Sequence, residues 1–460
     1  PILRMQHVPE TRASCDICAA SFHMGSYMCG CCGREYCMYC YNNWQPSATI
    51  VAGKLSRMDQ CSRKRRHAKQ SMIFVTRALP GHLESLLCKL FPDMLDFSDQ
   101  RLHRRQSRES VQKLPTVRQQ YPHENGPLYL AVPTLKHQDM GLEQFQSLWS
   151  AGGIPLVLTG VKSRFQLPWD DTYFVDEHGM DKCIIHDCST GLAAESTVAE
   201  FFKMFRSGEN TRSLKLKDWP PTDTFQSAFP DLFADFENAV PIPEYTRRTG
   251  PMNLASYFPE HWNAPDLGPK MYHATPSKEK RMRKLVGTTN LHLDLTDAVN
   301  IMLYETGGEN APQYSTVEKG IPECGAIWDI FRPEDASKIR GFLKLRDPEC
   351  DDPIHRQCHY LSEHDLSLLA KEGVGSYRIY QRAGDAVFIP AGCAHQVRNR
   401  RSCVKVAVDF LSPENLERCY FLLREGMAMA PKYSTNRYKE KSKEDVLQLW
   451  NCLDFAFQGL

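Results

Sequence analysis

The chain holds 460 residues, room for about three domains at the usual domain size. Hydrophobic residues make up 42 % and charged residues 24 %, which excludes a wholly disordered chain, and no apolar run reaches the ~18 residues that a membrane span needs. The net charge of +1 conceals an imbalance: residues 61–118 carry 13 Lys/Arg against 5 Asp/Glu, and residues 119–460 are left with a net −8. An acidic body beside a basic segment suits partners of opposite sign, a basic peptide and a nucleic acid. A solvated linker next to an ordinary acidic domain accounts for the same charges.

In chain order, residues 1–10 lack the apolar core of a secretory signal, and the missing initiator Met reads as a fragment. Eight of the 18 cysteines fall by residue 61. Without a secretory signal, that density points to metal thiolates in a reducing compartment and not to a disulfide framework. The segment CDICAASFHMGSYMCGCCGREYCMYC contains three C-x2-C pairs, Cys15/Cys18, Cys29/Cys32 and Cys37/Cys40. Cys61 and His67 complete a fourth. Two thiolates two residues apart can face one tetrahedral zinc, and eight ligands imply two zinc ions. An interleaved, cross-braced finger over residues 1–70 is expected. Cys15, Cys18, Cys37 and Cys40 would hold one ion, and Cys29, Cys32, Cys61 and His67 the other. Cys31 lies between ligands and is not assigned.

Residues 71–125 read as a basic helical linker, with Lys/Arg clusters at 63–66 and 101–108 that suit nuclear import or phosphate contact. An L-x-x-L-L spacing at 83–87 is ordinary helix packing or a docking motif. From residue 126 to 440, short apolar β-rich runs recur at 154–161, 300–304, 325–331, 385–390 and 403–410, with helical stretches at 195–206 and 413–427. Many short strands in one region fit a double-layered β-barrel with flanking helices. Residues 441–460 read as a helical tail.

Within the barrel region stand TTNLHLDLTDAVN and, about 100 residues later, IPAGCAHQV. Strand alternation puts His292 and Asp294 on one face with Leu293 behind them, and His395 follows a Pro-Ala-Gly turn after another apolar strand. Two His and one carboxylate on one face of an ion leave open positions, the pattern of non-haem Fe(II) oxygenases. A second group, His355, Cys358, His359 and His364, has no standard ligand spacing and is not read as a metal site. In CVKVAVDF, Val404, Val406, Val408 and Phe410 share one face, and Lys405, Ala407 and Asp409 the other. If the valines pack on outer helices, Lys405 points into the barrel, where it needs a counter-charge.

The chain resembles the lysine-specific demethylase 3 (hairless-type) family of JmjC proteins. The resemblance rests on LKLKDWPP (214–221), PIPEYTRRTGPMNLASYFP (241–259), PDLGPKMY (265–272), TTNLHLDLTDAVN (288–300), DPIH (352–355), GDAVFIPAGCAHQV (384–397) and the cysteine array. It implies a mainly β catalytic domain with the double-stranded β-helix (jelly-roll or cupin-like barrel) and flanking helices, beside the zinc finger. It also implies an Fe(II)-, 2-oxoglutarate- and O2-dependent histone demethylase in the nucleus. Its substrate would be mono- or dimethylated lysine 9 in the histone H3 tail, on chromatin; contact with DNA is expected from the basic charge of residues 61–118 and not from the resemblance. No membrane association is expected, and dimerisation stays open. His292, Asp294 and His395 would bind iron. Thr289, Asn300 and Lys405 would meet 2-oxoglutarate, and Tyr272 would line the wall near the methyl-lysine. Many JmjC enzymes carry a carboxylate-binding Lys soon after H-x-D, whereas this chain reads YETGGEN with no Lys before Lys319. Lys405 is the expected replacement. A protein hydroxylase or a non-catalytic chromatin scaffold would share the same fold.

Overall fold

Strand alternation builds the larger of two compact units, Glu109–Asn253 with Leu267–Leu416. In the computed structural model its centre is eight strands. They are β1 (Lys270–Ala274), β2 (Thr289–His292), β3 (Asp297–Glu305), β4 (Ala326–Phe331), β5 (Ser376–Gln381), β6 (Ala386–Ile389), β7 (His395–Asn399) and β8 (Cys403–Phe410). They form two antiparallel quartets, β6-β3-β8-β1 inside a nine-stranded sheet and β2-β7-β4-β5 inside a five-stranded one. This is the double-stranded β-helix of the JmjC fold. Among the described residues the two sheets do not join into one closed barrel. The structure describes residues 2–5, 8, 13–22, 25–45, 58–63, 66–77, 126–188, 190–207, 212–217, 219, 224–277, 287–307, 322–350, 352–428 and 447–459.

The two faces of each central strand have different work. On β3, Val299, Ile301 and Leu303 face an outer core, and on β8 Val404, Val406, Val408 and Phe410 join them. The outer core is completed by helices, among them Val198–Ser207. Its Val198, Phe201, Phe202 and Phe205 recur at helical spacing and are wholly buried. The expected helix at 195–206 therefore begins late, because Ala193–Thr197 is an edge strand paired with Lys182–Asp187. The opposite face of β3 and β8 turns toward the second sheet. There Ala298 and Met302 pack with Trp328, Ile330, Ile379, Val387 and Val397.

The smaller unit comprises Pro1–Arg108, Leu254–Asp266 and Glu417–Leu460. A four-stranded sheet runs Ile2–Arg4, Met72–Thr76, Gly25–Cys29, Glu35–Cys37. Met72–Thr76 is thus a central strand, although the region from 71 onward reads as helix and loop in sequence. Its β-branched and aromatic MIFVT pairs with a strand more than 40 residues earlier, a partner no local pattern reveals. Arg77, just beyond it, grips Glu35 through two bonds of 2.6 and 2.8 Å. Within the same unit the helix Leu449–Gly459 sets Phe455 edge-on to Phe258 and Trp262. The L-x-x-L-L spacing, the cluster at 101–108, most of the 61–118 segment and Lys319 lie outside the described residues.

Candidate functional site

β2 and β7 run antiparallel with His292 directly opposite His395, so the pairing itself brings two imidazoles to one end of the small sheet. Their ring centroids are 4.2 Å apart. Each ring is oriented through its Nδ1, which donates to a carbonyl two residues back: Asn290 at 2.8 Å for His292, Cys393 at 3.0 Å for His395. Both Nε2 atoms are left for a ligand. β2 ends at His292, so Asp294 sits in the turn beyond it and not on the strand as alternation suggests. The turn still delivers its carboxylate, with Oδ2 3.7 Å from His395 Nε2. The three ligand atoms lie within 4.8 Å of one another. Burial, reinforced by the neighbouring His395, pulls His292 down to about 4, so its lone pair is free at neutral pH.

The turn before His395 is held by a buried carboxylate. Asp297 accepts from the Ala391 amide at 2.8 Å, from Asn415 Nδ2 at 2.7 Å and from the Ser412 hydroxyl. Gly392 takes φ +76°, where a side chain would strain the backbone, and its N–H reaches the Asp294 carbonyl at 3.2 Å. Behind β7, Gln396 is locked by Leu361 and Asp329, and Asp329 is paired with the buried Arg378 at 2.8 Å.

The histidines open on a cavity lined by inward residues of both sheets, including Tyr272, Thr289, Asn300, Trp328 and Lys405. Thr289 and His292 are three apart and would face opposite ways on a regular strand. A bulge between them in the β2–β7 pairing puts both on the cavity. Lys405 is 5 % exposed, donates to Asn399 Oδ1 at 3.2 Å and lies 5.2 Å over the Trp328 ring. Burial pulls its ammonium from 10.5 to about 8. Asn300 is buried, and its amide oxygen has no hydrogen-bond partner among the described residues. Tyr272 is the cross-strand neighbour of Lys405.

Lys215 was not among the expected site residues. Its Nζ donates to Thr289 Oγ1 at 3.0 Å and lies 5.3 Å from the Tyr272 ring, so this half-buried cation also faces the cavity. The signal was present in L-K-L at 214–216: both leucines are buried in the outer core, which turns the lysine between them the other way. Trp328, which stacks on His395 at 5.9 Å, carried no motif.

In the smaller unit, Cys15, Cys18, Cys37 and Cys40 converge, and so do Cys29, Cys32, Cys61 and His67, each set within 4.8 Å. The pairs interleave because the first C-x2-C, in a turn, meets the third, with Cys18 and Cys37 sulfurs 3.6 Å apart. Ala19 and Gly33, one residue past the first two pairs, take the left-handed conformation that turns the chain away from each pair. His67 Nδ1 faces the Met58 carbonyl at 2.7 Å, leaving Nε2 3.1 Å from Cys32 Sγ. These donor sets suit zinc.

The family described as "JmjC domain, hydroxylase" matches residues 323–410. Over 352 residues, 68 % of this chain, the sequence is 37 % identical to "Lysine-specific demethylase 3" of Drosophila melanogaster. Against "Lysine-specific demethylase 3A" of Homo sapiens it is 36 % identical over 351 residues, again 68 % of this chain. The chain belongs to the lysine-specific demethylase 3 family of JmjC proteins. It spans 40 % of the length of the fly protein and 26 % of the human one. A plant lysine-specific demethylase, from Arabidopsis thaliana, is 32 % identical over 71 % of this chain and 43 % of its own length. The JmjC match contains His395 and Lys405, while His292, Asp294 and Lys215 lie before it. Among the described residues, no helix is long and apolar enough to cross a membrane.

Proposed function

We propose that this family member is an Fe(II)- and 2-oxoglutarate-dependent demethylase of N-methylated lysine in a basic peptide, the H3 tail at lysine 9 in its mono- or dimethylated form. The observation that carries the reading is the convergence of two Nε2 atoms and one carboxylate on a cavity also lined by the buried Lys405 and by Lys215. Iron with 2-oxoglutarate and O2 would supply the oxidation of the N-methyl carbon. The chain's own residues bind and orient. His292, Asp294 and His395 would hold the metal, with the two imidazole rings fixed through Nδ1. Lys405 meets the distal carboxylate of 2-oxoglutarate, with the Asn300 amide beside it. Lys215 keeps Thr289 oriented and adds positive potential. Tyr272 walls the approach of the substrate side chain. The net −8 of residues 119–460 favours a Lys- and Arg-rich tail.

The names of the relatives support lysine demethylation, and a nuclear, chromatin-bound setting follows from such a substrate. The two cysteine sets would bind one zinc each, folding a finger whose own apolar core is small. Contact with DNA through 61–118 belongs to the same proposal. The test incubates mono- and dimethylated H3 peptides with protein, iron and 2-oxoglutarate, followed by mass spectrometry. Loss of one CH2 per turnover with formaldehyde release is expected. A stable gain of one oxygen would replace the reading by a protein hydroxylase, and no change with intact iron binding would make the chain a scaffold.

A further inference from the structure

The loop between the helices Ala336–Lys344 and Glu363–Lys371 gathers a third donor set. Asp347, Cys350, Cys358 and His359 offer one carboxylate oxygen, two sulfurs and one imidazole nitrogen, all within 4.8 Å of one another. Asp347 Oδ2 is 3.7 Å from His359 Nε2. Two ligands on one tetrahedral zinc stand about 3.3–3.8 Å apart, given bonds of roughly 2.0–2.3 Å. The backbone is shaped for this meeting. The Cys350 N–H closes a turn on the Asp347 carbonyl at 3.2 Å, putting the two side by side. Gln357, a non-glycine residue at φ +55°, reverses the chain immediately before Cys358 and His359. Such a conformation persists only where its surroundings enforce it. Between the two halves, Asp352 caps the Ile354 and His355 amides at 3.0 Å and pairs with Arg340 at 2.8 Å. The loop is also tied to β2: the Gln357 carbonyl accepts from Asn290 Nδ2 at 2.9 Å, and the His359 carbonyl from the Leu291 amide at 2.8 Å. The next residue is His292.

We propose that Asp347, Cys350, Cys358 and His359 bind a structural zinc ion that holds this loop against the strand carrying His292. Two thiolates and an imidazole select zinc over harder cations, and four protein ligands leave no open position for catalysis. His355 and His364, which sequence proximity groups with Cys358 and His359, are not in the set. The ligands divide as Asp347-x2-Cys350 and the adjacent Cys358-His359, which is why spacing alone does not reveal the site. The inference stands independently of the demethylase reading, since it concerns a different ion.

The test uses the full chain, purified anaerobically. Elemental analysis should find one zinc fewer per chain in Cys358→Ser and in His359→Gln than in the parent. Cys37→Ser should lower zinc separately, so the finger and the loop are distinguished. With cobalt in place of zinc, the parent's thiolate-to-metal absorption should weaken in the loop variants. The Leu291 amide should exchange faster in them. A measurement without substitution guards against misfolding: alkylation of Cys350 and Cys358 should be suppressed in the parent and appear after chelation. Cys358 alkylated at the same rate with and without chelator would overturn the proposal. So would an unchanged zinc count in both loop variants, or a Cys350–Cys358 disulfide in the anaerobic protein.

Discussion

Replacing Lys405 by Met separates the cavity's function from the fold's stability, because the two should move in opposite directions. Burial holds the folded-state pKa near 8 against 10.5 in the open. At about 1.4 kcal/mol per pH unit, the charged lysine costs the folded protein about 3 kcal/mol at neutral pH. The side chain also makes one hydrogen bond and one cation–π contact, worth about 1 kcal/mol each. Lys405→Met should therefore stabilise the protein by about 1 kcal/mol at pH 7, a rise in Tm of about 2 °C. The sign follows from the depressed pKa. Below pH 8 both folded and unfolded lysine are charged and the cost is complete. Between 8 and 10.5 the unfolded chain holds the extra proton, so wild-type stability rises with pH and the variant's advantage disappears. The facing ionisable groups, Lys215, Cys403, Cys324 and Glu305, have smaller effects than burial. For 2-oxoglutarate the balance reverses. Leaving a buried carboxylate without its cation costs about 3–5 kcal/mol, so KM should rise about 100-fold or more. Iron binding should persist. Thermal unfolding across pH and 2-oxoglutarate titration measure both halves. An unchanged KM would refute the anchor assignment, and a lower Tm at pH 7 would refute the account of its burial.

His292→Ala, Asp294→Ala and His395→Ala should each abolish iron-dependent 2-oxoglutarate turnover while circular dichroism stays native; near-normal turnover in any one removes it from the ligand set. Cys15→Ser or Cys37→Ser should release zinc and unfold the finger, and two zinc ions there are expected by elemental analysis; a folded, zinc-replete variant contradicts the pairing. His273 is fully buried among Phe174, Phe202 and Trp219, with neither ring nitrogen partnered among the described residues. Burial pulls it from 6.5 to about 3, so wild-type stability falls as pH drops through that window. His273→Leu should raise stability by about 1–2 kcal/mol and flatten that acid slope, as calorimetry across pH would reveal.

The five apolar runs of the catalytic region each fall on a strand of the two sheets, because alternation is a local signal that survives tertiary context. The run at 403–410 matches β8 residue for residue, and its two faces separate as the pattern indicates. The Pro-Ala-Gly turn identified His395 for an equally local reason. What escaped depends on distance or on irregular backbone. Lys215 reaches the cavity through the pairing of Leu214–Leu216 with β1, about 60 residues away. The shared orientation of Thr289 and His292 needs a bulge that composition does not encode. Asp294 lies past the end of its strand. The loop cluster needs a strained residue, Gln357, to bring its halves together. Local rules fail at these places because each of them departs from regular geometry.

The inner and outer faces of β3 and β8 explain how such a site is tolerated. Inside, a depressed lysine costs about 3 kcal/mol and an unsatisfied Asn300 amide oxygen about 1–3 kcal/mol. Each is a local violation that an apolar side chain would remove. Outside, the same strands carry wholly or almost wholly buried valines, isoleucine and phenylalanine in one core shared with Phe201, Phe202 and Phe205. Full burial of one such side chain contributes about 1.5–3 kcal/mol, so three phenylalanines alone offset the inner losses. The helix Val198–Ser207 meets the ends of these strands, Phe205 stacking on Tyr304 at 6.4 Å and its carbonyl accepting from the Ser402 hydroxyl at 2.8 Å, while among the described residues it presents none to the cavity. The outer core as a whole anchors the outward face of the strands, and this lets their inward face stay polar.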